Sequence, residues 1–405
     1  MPRDSADLVI VGAGAIGGWA SYFARTSGAG RVVVVDKGLA GMGASSRAAG
    51  VVRAQGGSPA TIALGRWSID FYNRQQELLG TDSGFRELGY LLLATSERDE
   101  REGRARVELQ HSAGLADVRW VDAAEARRLN PTLAATGHRG GAYRPTDGYV
   151  DPPRNVRAYS MAMRQSGVEL RERTEVLGLT TSAGHGGTRR VTGVKTTGGA
   201  IAAGRVLLTG GPELRALGKR CGLRISAGAA RHQVAVTGPH RAFQVERQPM
   251  AFDLRVGLYW RLEEGGLLFG MSNPDERPAP AGEIDLPYLR RMQRRLARLV
   301  PVTKGLGLRR AWAATIEYTP DHFPILGPAL GPGGAPIAGL TVATAGGHGM
   351  MWGPALGRAA SDLALTGRTD AVDVTDLGLD RFDARGRSRL TPDSVALPFP
   401  TKAGD

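Results

Sequence analysis

The sequence contains a single cysteine, Cys221, among its 405 residues. One cysteine excludes an internal disulfide framework, and a metal site built on cysteine ligands is not expected. Aromatic residues make up only 6% of the chain, and no apolar run approaches the length that spans a membrane. Residues 1–7 also lack the apolar core of a signal peptide. These absences predict a cytoplasmic protein with no membrane span and no metal.

The charge balance is strongly basic, with 52 Lys and Arg against 39 Asp and Glu and a formal net charge of +13. A basic chain can bind nucleic acid, but these arginines are scattered through apolar segments and form no basic block with interleaved aromatics. No nucleic-acid partner is expected, because an anionic cofactor, an anionic substrate or an acidic partner accounts for the charge equally well. The hydrophobic content of 42% indicates a globular protein, and the length suits two interlocked domains.

The strongest pattern begins at residue 8, where LVIVGAGAIGG joins a short apolar strand to the glycine pattern GxGxxG. Gly12 allows a tight turn, Gly14 lets a pyrophosphate approach the backbone, and Gly17 lets the following helix lie close to the strand. A second apolar strand ends at Asp36, about 20 residues later, where a carboxylate accepts from a ribose hydroxyl. The combination predicts a dinucleotide site with its phosphates at a helix N-terminus. A glycine-rich turn in another kind of βαβ unit is the alternative.

Three later segments resemble one family. The stretch GASSRAAGVVR at residues 43–53 resembles the second cofactor-contacting segment of the D-amino acid oxidase superfamily of FAD enzymes, and a surface Gly/Ser linker is the alternative. The stretch AWAATIEYTPDHFPILG at 311–327 resembles the family's TPD segment. The stretch LTVATAGGHGMMWGPALGRAASDLALTG at 340–367 resembles its last strand, GHG turn and terminal helix. The most similar branch contains sarcosine oxidase, glycine oxidase and dimethylglycine dehydrogenase.

The resemblance implies an α/β plus α+β fold, in which a GxGxxG Rossmann-like FAD-binding domain is interwoven with a mostly antiparallel β-sheet substrate domain. The FAD-binding domain is predicted to comprise residues 1–88, 146–226 and 308–372, and the substrate domain residues 89–145 and 227–307. Residues 373–405 are predicted to form a partly ordered C-terminal tail. Within the substrate domain, residues 288–299 have the pattern of a basic amphipathic helix with a solvated polar face.

The resemblance also implies FAD as the cofactor. Its predicted contacts are Gly12, Gly14, Ala15, Ile16, Gly17, Asp36, Lys37, Ser45, Ser46, Arg47, Ala49, Gly50, Val51, Val176, Thr209, Gly210, Gly347, His348, Gly349, Met350 and Met351. Relatives with a histidyl flavin bond have a histidine where this chain has Arg47, and relatives with a cysteinyl bond have a cysteine where it has Ala314. The FAD is therefore predicted to be noncovalent.

Members of this family oxidise a carbon–nitrogen bond by hydride transfer to flavin N5, which gives an imine. The chain is therefore predicted to be an FAD-dependent oxidase or dehydrogenase of an amino acid or of a secondary or N-methyl amine. An arginine is expected to hold the substrate carboxylate, because its planar fork matches two oxygens. The candidate substrate-contacting and catalytic residues are Arg53, Tyr259, Arg261, Arg309 or Arg310, and His348.

Two lysines of monomeric sarcosine oxidases, one beside N5 and one for the carboxylate, correspond by resemblance to Leu268 and Met351. These replacements argue against a sarcosine oxidase and favour slow use of O2 or another electron acceptor. Three other hypotheses stay open. The chain could be a tailoring oxidase of a larger amine-containing metabolite, a flavin-bearing subunit active only in a hetero-oligomer, or a nicotinamide dehydrogenase.

Overall fold

The structure, a computed structural model, describes residues 4–183, 189–276 and 283–398. Its strands are β1 Ser5–Ala6, β2 Leu8–Val11, β3 Val32–Val35, β4 Val51–Val52, β5 Arg86–Glu87, β6 Tyr90–Leu93, β7 Arg119–Val121, β8 Gly141–Arg144, β9 Gly148–Tyr149, β10 Glu169–Arg171, β11 Val176–Ala183, β12 Arg189–Thr196, β13 Gly199–Ala203, β14 Val206–Leu208, β15 Gly228–Thr237, β16 Met250–Asp253, β17 Leu258–Glu263, β18 Gly266–Met271, β19 Leu308–Tyr318, β20 Leu326–Leu330 and β21 Pro336–Ala343. Its α-helices are α1 Ala15–Thr26, α2 Pro59–Leu79, α3 Glu97–Ser112, α4 Ala123–Leu129, α5 Pro152–Gln165, α6 Leu214–Arg220, α7 Leu286–Leu299 and α8 Gly349–Thr366.

The first sheet is built around the apolar strand that precedes the glycine pattern. Strand β2 pairs in parallel with β3 on one side and with β14 on the other. The full order is β1-β13-β12-β21-β14-β2-β3-β10, with β11 attached to β12 and β20 attached to β21. Every residue of β2 and β3 is buried, as expected for parallel strands that are covered on both faces.

The two faces of this sheet belong to two apolar cores. Because successive side chains of a strand point to opposite faces, Leu8 and Ile10 pack in the core that contains Trp19 of α1. Val9 packs on the opposite side, in the core that contains Leu214 of α6. Because both of its faces are buried, β2 is held at one position between the two cores. The glycine turn that follows β2 is therefore held in place as well.

The second sheet has the order β19-β15-β18-β17-β16-β6-β8-β7. All of its neighbouring strands are antiparallel except β6 and β16, which are parallel. Helix α7 buries Met292 and Leu296 in the core that also contains Trp260 and Phe269 of this sheet, as its amphipathic pattern predicts. In the first sheet the strands beside the glycine pattern are parallel, and the pairs β11–β12, β12–β13 and β20–β21 are antiparallel. The structure confirms a Rossmann-like sheet combined with a mostly antiparallel second sheet.

The predicted division into domains remains a proposal. One strand that it assigns to the FAD-binding domain is paired in the second sheet. Strand β19, which the division gives to the FAD-binding domain, is hydrogen-bonded along β15 in the second sheet. The pairing extends from Gly228 opposite Tyr318 to Thr237 opposite Leu308, so nearly the whole strand is held there. The chain therefore returns to the first sheet only after β19 ends.

The residues that follow α8 pack back onto the molecule. Arg381 is fully buried, and its guanidinium donates to the carboxylate of Asp321 at 2.7 and 3.1 Å and to the carbonyl oxygen of Leu377 at 2.7 Å. Burial opposes the charge of Asp321, but the hydrogen bonds and charge of Arg381 hold the pKa of that carboxyl below its ordinary value. Residues 373–398 of the predicted tail are described and contain this buried contact, whereas residues 399–405 lie outside the described residues.

Removal of one partner of this buried ion pair should destabilise the fold strongly. Arg381→Met leaves the Asp321 carboxylate buried without compensation, so we expect the free energy of unfolding to fall by about 3–5 kcal/mol. Arg389→Met is the control, because Arg389 forms half-exposed ion pairs that are worth about 1 kcal/mol or less. Denaturant unfolding followed by tryptophan fluorescence measures both variants. An equally small loss in the two would contradict the anchoring role of Arg381.

Candidate functional site

A cavity of about 600 Å³ lies between the two sheets. Its lining includes Gly12, Asp36, Thr209 and Ala343, which end or follow the strands β2, β3, β14 and β21. Open parallel sheets bind their ligands in the crevice outside the carboxyl ends of the strands. Strands β15, β16, β17 and β19 of the second sheet contribute six lining residues, and much of the remaining lining comes from the loop between β3 and β4 and its continuation to Arg53.

Most of the predicted cofactor contacts line this cavity. They are Gly12, Gly14, Ala15, Ile16, Asp36, Lys37, Ser45, Arg47, Ala49, Gly50, Val51, Val176, Thr209, Gly210, Gly347, His348, Gly349, Met350 and Met351. Two others, Gly17 and Ser46, are absent from the lining. Gly17 abuts the backbone of the glycine turn, and Ser46 lies inside the short 3-10 turn Ser45–Arg47. Direct contact of these two residues with the cofactor stays a prediction.

The glycine turn leaves no room for side chains. Gly12 has a φ of +104°, and a Cβ there would lie 2.8 Å from the carbonyl oxygen of Thr209. A Cβ on Gly17 would overlap the carbonyl oxygen of Gly12. The hydroxyl of Thr209 closes the turn from the other side, at 2.9 Å from the carbonyl oxygen of Val11 and 3.0 Å from that of Gly12. Bare backbone at the start of α1 is the cradle that a pyrophosphate fits.

Asp36 is positioned by the same turn. Its Oδ2 accepts a hydrogen bond from the Ala13 N–H at 2.7 Å, and its Oδ1 accepts from the Gly38 N–H at 2.7 Å. A carboxylate has about four acceptor sites, so Asp36 can also accept from a hydroxyl in the cavity that it lines. This arrangement suits the ribose contact predicted from the sequence.

Arg220 lines the nucleotide end of the cavity and was missing from the sequence predictions. Its Nη2 donates to the carbonyl oxygen of Val176 at 3.1 Å and to the carboxylate of Glu175 at 3.2 Å. Arg220 ends α6, 44 residues away from Val176, and no local motif marks it. Only the tertiary fold shows that this arginine holds the backbone of Val176, one of the predicted FAD contacts.

The loop that follows Asp36 is fastened to the second sheet through its carbonyl groups. The indole N–H of Trp312 donates to the carbonyl oxygen of Arg47 at 2.9 Å, and Nε of Arg261 donates to that of Ala49 at 3.0 Å. The Arg47 guanidinium folds back on the loop and donates to the carbonyl oxygen of Met42 at 2.7 Å. Arg261, predicted to be catalytic, is buried but does not line the cavity, and its contact is with the loop.

The two positions where relatives carry a covalent flavin bond both face the cavity. They are occupied by Arg47 and Ala314, and neither side chain offers an imidazole or a thiol. Cys221, whose thiol has a pKa raised by burial, lies outside the lining. The donor set therefore fits a dinucleotide cofactor held by backbone amides, a carboxylate and close packing.

Arg53 lines the opposite end of the cavity, and its side chain is buried. The guanidinium donates to the carbonyl oxygen of Gln55 and, at 2.6 Å, to that of Val395. Within the described residues, no carboxylate forms an ion pair with it. A buried guanidinium bonded only to carbonyl groups keeps free N–H donors and an uncompensated charge, and both favour an anionic ligand.

The structure keeps Arg309 and Arg310 away from the cavity lining. Both are partly exposed on β19, where Arg310 pairs with Glu263 at 2.6 Å and Arg309 pairs with Glu264. Carboxylate partners thus already satisfy these two candidates. Of the arginines predicted to bind the substrate, Arg53 is the one that the fold places in the cavity wall.

His232 and Tyr259 form a buried pair that the sequence analysis named only in part. Nε2 of His232 lies 2.7 Å from Oη of Tyr259, and the two rings are stacked with centroids 5.8 Å apart. Burial lowers the pKa of His232 to about 4 and raises the pKa of Tyr259, so both side chains are uncharged near neutral pH. Both line the cavity. His232 lies in β15 outside any recognisable motif, which is why the sequence did not reveal it.

The GHG turn places His348 at the same end of the cavity. Its Nδ1 lies 3.0 Å from the carbonyl oxygen of Gly346, and its ring packs on Trp352 with centroids 4.5 Å apart. Burial, together with the charge of Arg53, lowers the pKa of His348 to about 3. A neutral imidazole that donates through Nδ1 has Nε2 left as an acceptor.

The remaining lining of this end is apolar or phenolic. It comprises Tyr90, Phe252, Met351, Val395 and Leu397. Leu268, at the position of one missing lysine, is buried in β18 and does not line the cavity. Glu317 of β19 also lines the cavity. Its Oε1 accepts a hydrogen bond from the Ala345 N–H at 2.8 Å, and burial raises the pKa of this carboxyl.

Residues 4–183, 189–276 and 283–398 contain neither a candidate metal site nor a membrane-spanning helix. No group of His, Cys, Asp and Glu side chains in these ranges could hold a metal ion. No helix in them combines the length and apolar character needed to cross a membrane.

Comparison with known proteins places this geometry in a family. Residues 7–363 match the family DAO, described as FAD dependent oxidoreductase. The chain is 30% identical over 392 residues to glycine oxidase from Geobacillus kaustophilus (strain HTA426), covering 93% of this chain and 97% of that protein. Among solved structures, L-proline dehydrogenase from P. horikoshii superposes with a TM-score of 0.85 at 24% identity, over 96% of this chain and 100% of that one.

Another curated relative is longer than this chain. The 4-methylaminobutanoate oxidase (formaldehyde-forming) of Paenarthrobacter nicotinovorans is 26% identical over 400 residues, which cover 94% of this chain but 46% of that protein. The chain thus spans a little under half the length of this relative and of several others that it matches.

A dinucleotide cradle that continues into a buried end beneath an antiparallel sheet defines a flavin-dependent oxidoreductase. The chain belongs to the DAO family of FAD-dependent oxidoreductases, and its cofactor is FAD. The family, the fold class and the cofactor predicted from the sequence are confirmed.

Gly17→Ala should release FAD, because the added Cβ pushes α1 away from the glycine turn and widens the phosphate cradle. Each 1.4 kcal/mol of lost binding energy is tenfold in affinity, and we expect a loss of about tenfold or more. The control is Gly204→Ala, where a Cβ meets open space. Flavin absorbance per mole of purified protein measures FAD content, and circular dichroism checks the fold. Full FAD content in a folded Gly17→Ala variant would contradict the cradle.

The buried neutral histidines should make stability depend on pH. An unfolded histidine titrates near pH 6.5, whereas His232 and His348 in the fold have pKa values of about 4 and about 3. The unfolded state therefore binds more protons as the pH falls below about 6.5, and stability present above that pH is lost towards pH 4. We expect His232→Gln to shrink the fall in Tm between about pH 7 and about pH 5, and thermal unfolding at both pH values measures it; an undiminished fall would contradict the buried neutral state of His232.

Proposed function

We propose that this protein oxidises the carbon–nitrogen bond of an amino acid or N-methyl amine that carries a carboxylate. The observation that carries the proposal is Arg53, a buried cation without a carboxylate partner among the described residues, at the cavity end that also holds His232, Tyr259 and His348. The names of the two curated relatives, glycine oxidase and 4-methylaminobutanoate oxidase, support it, because both named substrates combine an amine with a carboxylate.

Arg53 binds the substrate and also prepares it. Its free N–H donors take the two oxygens of the carboxylate as a fork. Its positive charge disfavours a second cation nearby, and after burial it is the next cause of the lowered pKa of His348, so the amine is held in its neutral form. A neutral amine is needed because its lone pair must be free while the neighbouring carbon loses a hydride. FAD, when bound, supplies the acceptor for that hydride.

Tyr259 and His232 orient the amine. The phenol of Tyr259 stays protonated and donates to Nε2 of His232, and its oxygen keeps a lone pair for an N–H of the substrate. A proton that leaves the amine at Tyr259 has His232 as the next acceptor, 2.7 Å away. The N-terminus of α8, residues 349–351, lines the same cavity and favours negative charge there through the helix dipole.

The FAD in this proposal is noncovalent, and the natural electron acceptor is one other than O2. The first statement is supported by Arg47 and Ala314 at the two positions of covalent attachment. The second is supported by the side chains at the substrate end, where Leu268 is buried away from the cavity and Met351 lines it. Lys37 is a lysine of the described lining, but it lies at the nucleotide end and so does not replace the two lysines at the substrate end.

Anaerobic mixing of the FAD-loaded protein with a panel of amines tests the reaction. The panel contains N-methyl amino acids, D- and L-amino acids and secondary amines without a carboxylate. Bleaching of the flavin by carboxylate-bearing members supports the proposal, and slow recolouring in air supports an acceptor other than O2. Bleaching by none of them would favour a larger amine-containing metabolite or a flavin subunit that needs a partner.

Arg53→Met should raise the KM for carboxylate-bearing substrates by about 30-fold or more, because a buried charge-assisted pair is worth about 2–5 kcal/mol when one partner is removed. FAD content should be unchanged, since Arg53 lies away from the phosphate cradle. Arg310→Met is the matched variant, and its KM should stay within about twofold because this arginine pairs on the surface. The reverse order of effects would assign the carboxylate to Arg310.

A further inference from the structure

Residues 393–398, which we call the C-terminal strap, cross the substrate end of the cavity. Val395 is fully buried and lines the cavity together with Leu397. The strap begins at the N-terminal turn of α2, where it meets Thr61, and it reaches the turn between β16 and β17, where Pro398 packs. The match to the family model ends at residue 363, so the strap lies beyond the matched segment.

Asp393 fixes the strap in place. Its Oδ2 accepts from the hydroxyl of Thr61 at 2.8 Å and from the Gly57 N–H at 3.2 Å, and its Oδ1 accepts from the Val395 N–H at 2.8 Å. Its own N–H donates to the carbonyl oxygen of Asp321 at 3.2 Å. These bonds tie the strap to the start of α2 and to the TPD segment, so it is a fixed part of the cavity wall.

The strap also holds the cation of the site. The carbonyl oxygen of Val395 accepts from Nη2 of Arg53 at 2.6 Å, while Gln55 accepts from Nη1. One residue of the strap therefore does two things. Its carbonyl group orients the guanidinium, and the residue forms part of the cavity wall at the same end.

We infer that the strap determines which substrates the site accepts, because the side chain of Val395 limits the size of the alkyl group that a carboxylate ligand can place beside Arg53. The inference rests on the proposed binding of the carboxylate by Arg53. It assigns specificity to a segment remote from the cofactor cradle. The substrate range of this fold can then change at the strap while the contacts to FAD stay the same.

Binding of simple carboxylates to the FAD-loaded protein tests this without turnover. Acetate, propionate, butyrate and valerate are titrated, and the visible absorbance of the bound flavin reports a Kd for each. Val395→Ala should raise the ratio of the Kd for acetate to the Kd for valerate about tenfold over wild type, because one methylene in an apolar pocket is worth about tenfold or more. Val395→Phe should move the ratio in the opposite direction.

Val372→Ala is the matched control. Val372 is buried in the same apolar core as Val395 but does not line the cavity, so it reports general loosening alone. The Kd ratio of this control should equal that of the wild type. FAD content and Tm are measured for every variant, and Val395→Ala keeps the test decisive where the larger phenylalanine prevents folding.

An unchanged Kd ratio in folded, FAD-loaded Val395→Ala overturns the inference. A wild-type flavin spectrum that none of the four acids perturbs overturns it as well, because Arg53 then binds no carboxylate. Failure of the proposed reaction is distinct from both results. A protein that shows the expected shift in Kd ratio, but whose flavin no amine bleaches, keeps the specificity role of Val395 and loses the proposed oxidation.

Discussion

The position of both halves of the site depends on one close approach of backbone at the start of α1. A side chain on Gly17 would overlap the carbonyl oxygen of Gly12, and its absence lets α1 lie directly on the end of β2. Close packing continues one turn further along α1, where a Cβ on Gly357 of α8 would lie 2.9 Å from the backbone nitrogen of Ala20. Because α8 begins at the GHG turn, these contacts also set the place of His348 relative to the phosphate cradle.

At the substrate end, the ion pairs that already exist determine which charge is left for a ligand. Asp147 is a fully buried carboxylate near Arg53. It accepts hydrogen bonds from the Ala54 N–H and from the side-chain amide of Gln55, the two residues that follow Arg53 in the chain. It forms its ion pair with Arg144, at 2.7 Å, and so leaves the charge of Arg53 uncompensated. The nearby histidines are kept neutral, chiefly by burial, and so add no second positive charge beside it. An anionic ligand is the partner that this arrangement lacks.

The cofactor half of the site could be predicted from the sequence because its physical causes are local. A glycine that must avoid a Cβ clash and a carboxylate at a strand end are both visible within a few residues. The substrate half depends on long-range partners. Arg53 and Arg310 were equal candidates in the sequence, and what separates them is Glu263, 2.6 Å from Arg310, and Val395, 342 residues away from Arg53. No local pattern records which carboxylate will lie opposite which arginine.

The two sheets meet at the carbonyl groups of the loop that precedes β4. Trp312 and Arg261, both from the second sheet, donate to the carbonyl oxygens of Arg47 and Ala49. Arg261 is itself held by Glu263 at 2.5 Å, so we interpret it as a residue that positions the loop. Since the same loop lines the nucleotide cavity, any shift of the second sheet is transmitted to the cofactor cradle. A change in the position of the second sheet therefore alters the substrate half and the cofactor half of the site together. The C-terminal strap is an exception, because it lines the substrate end without contacting that loop.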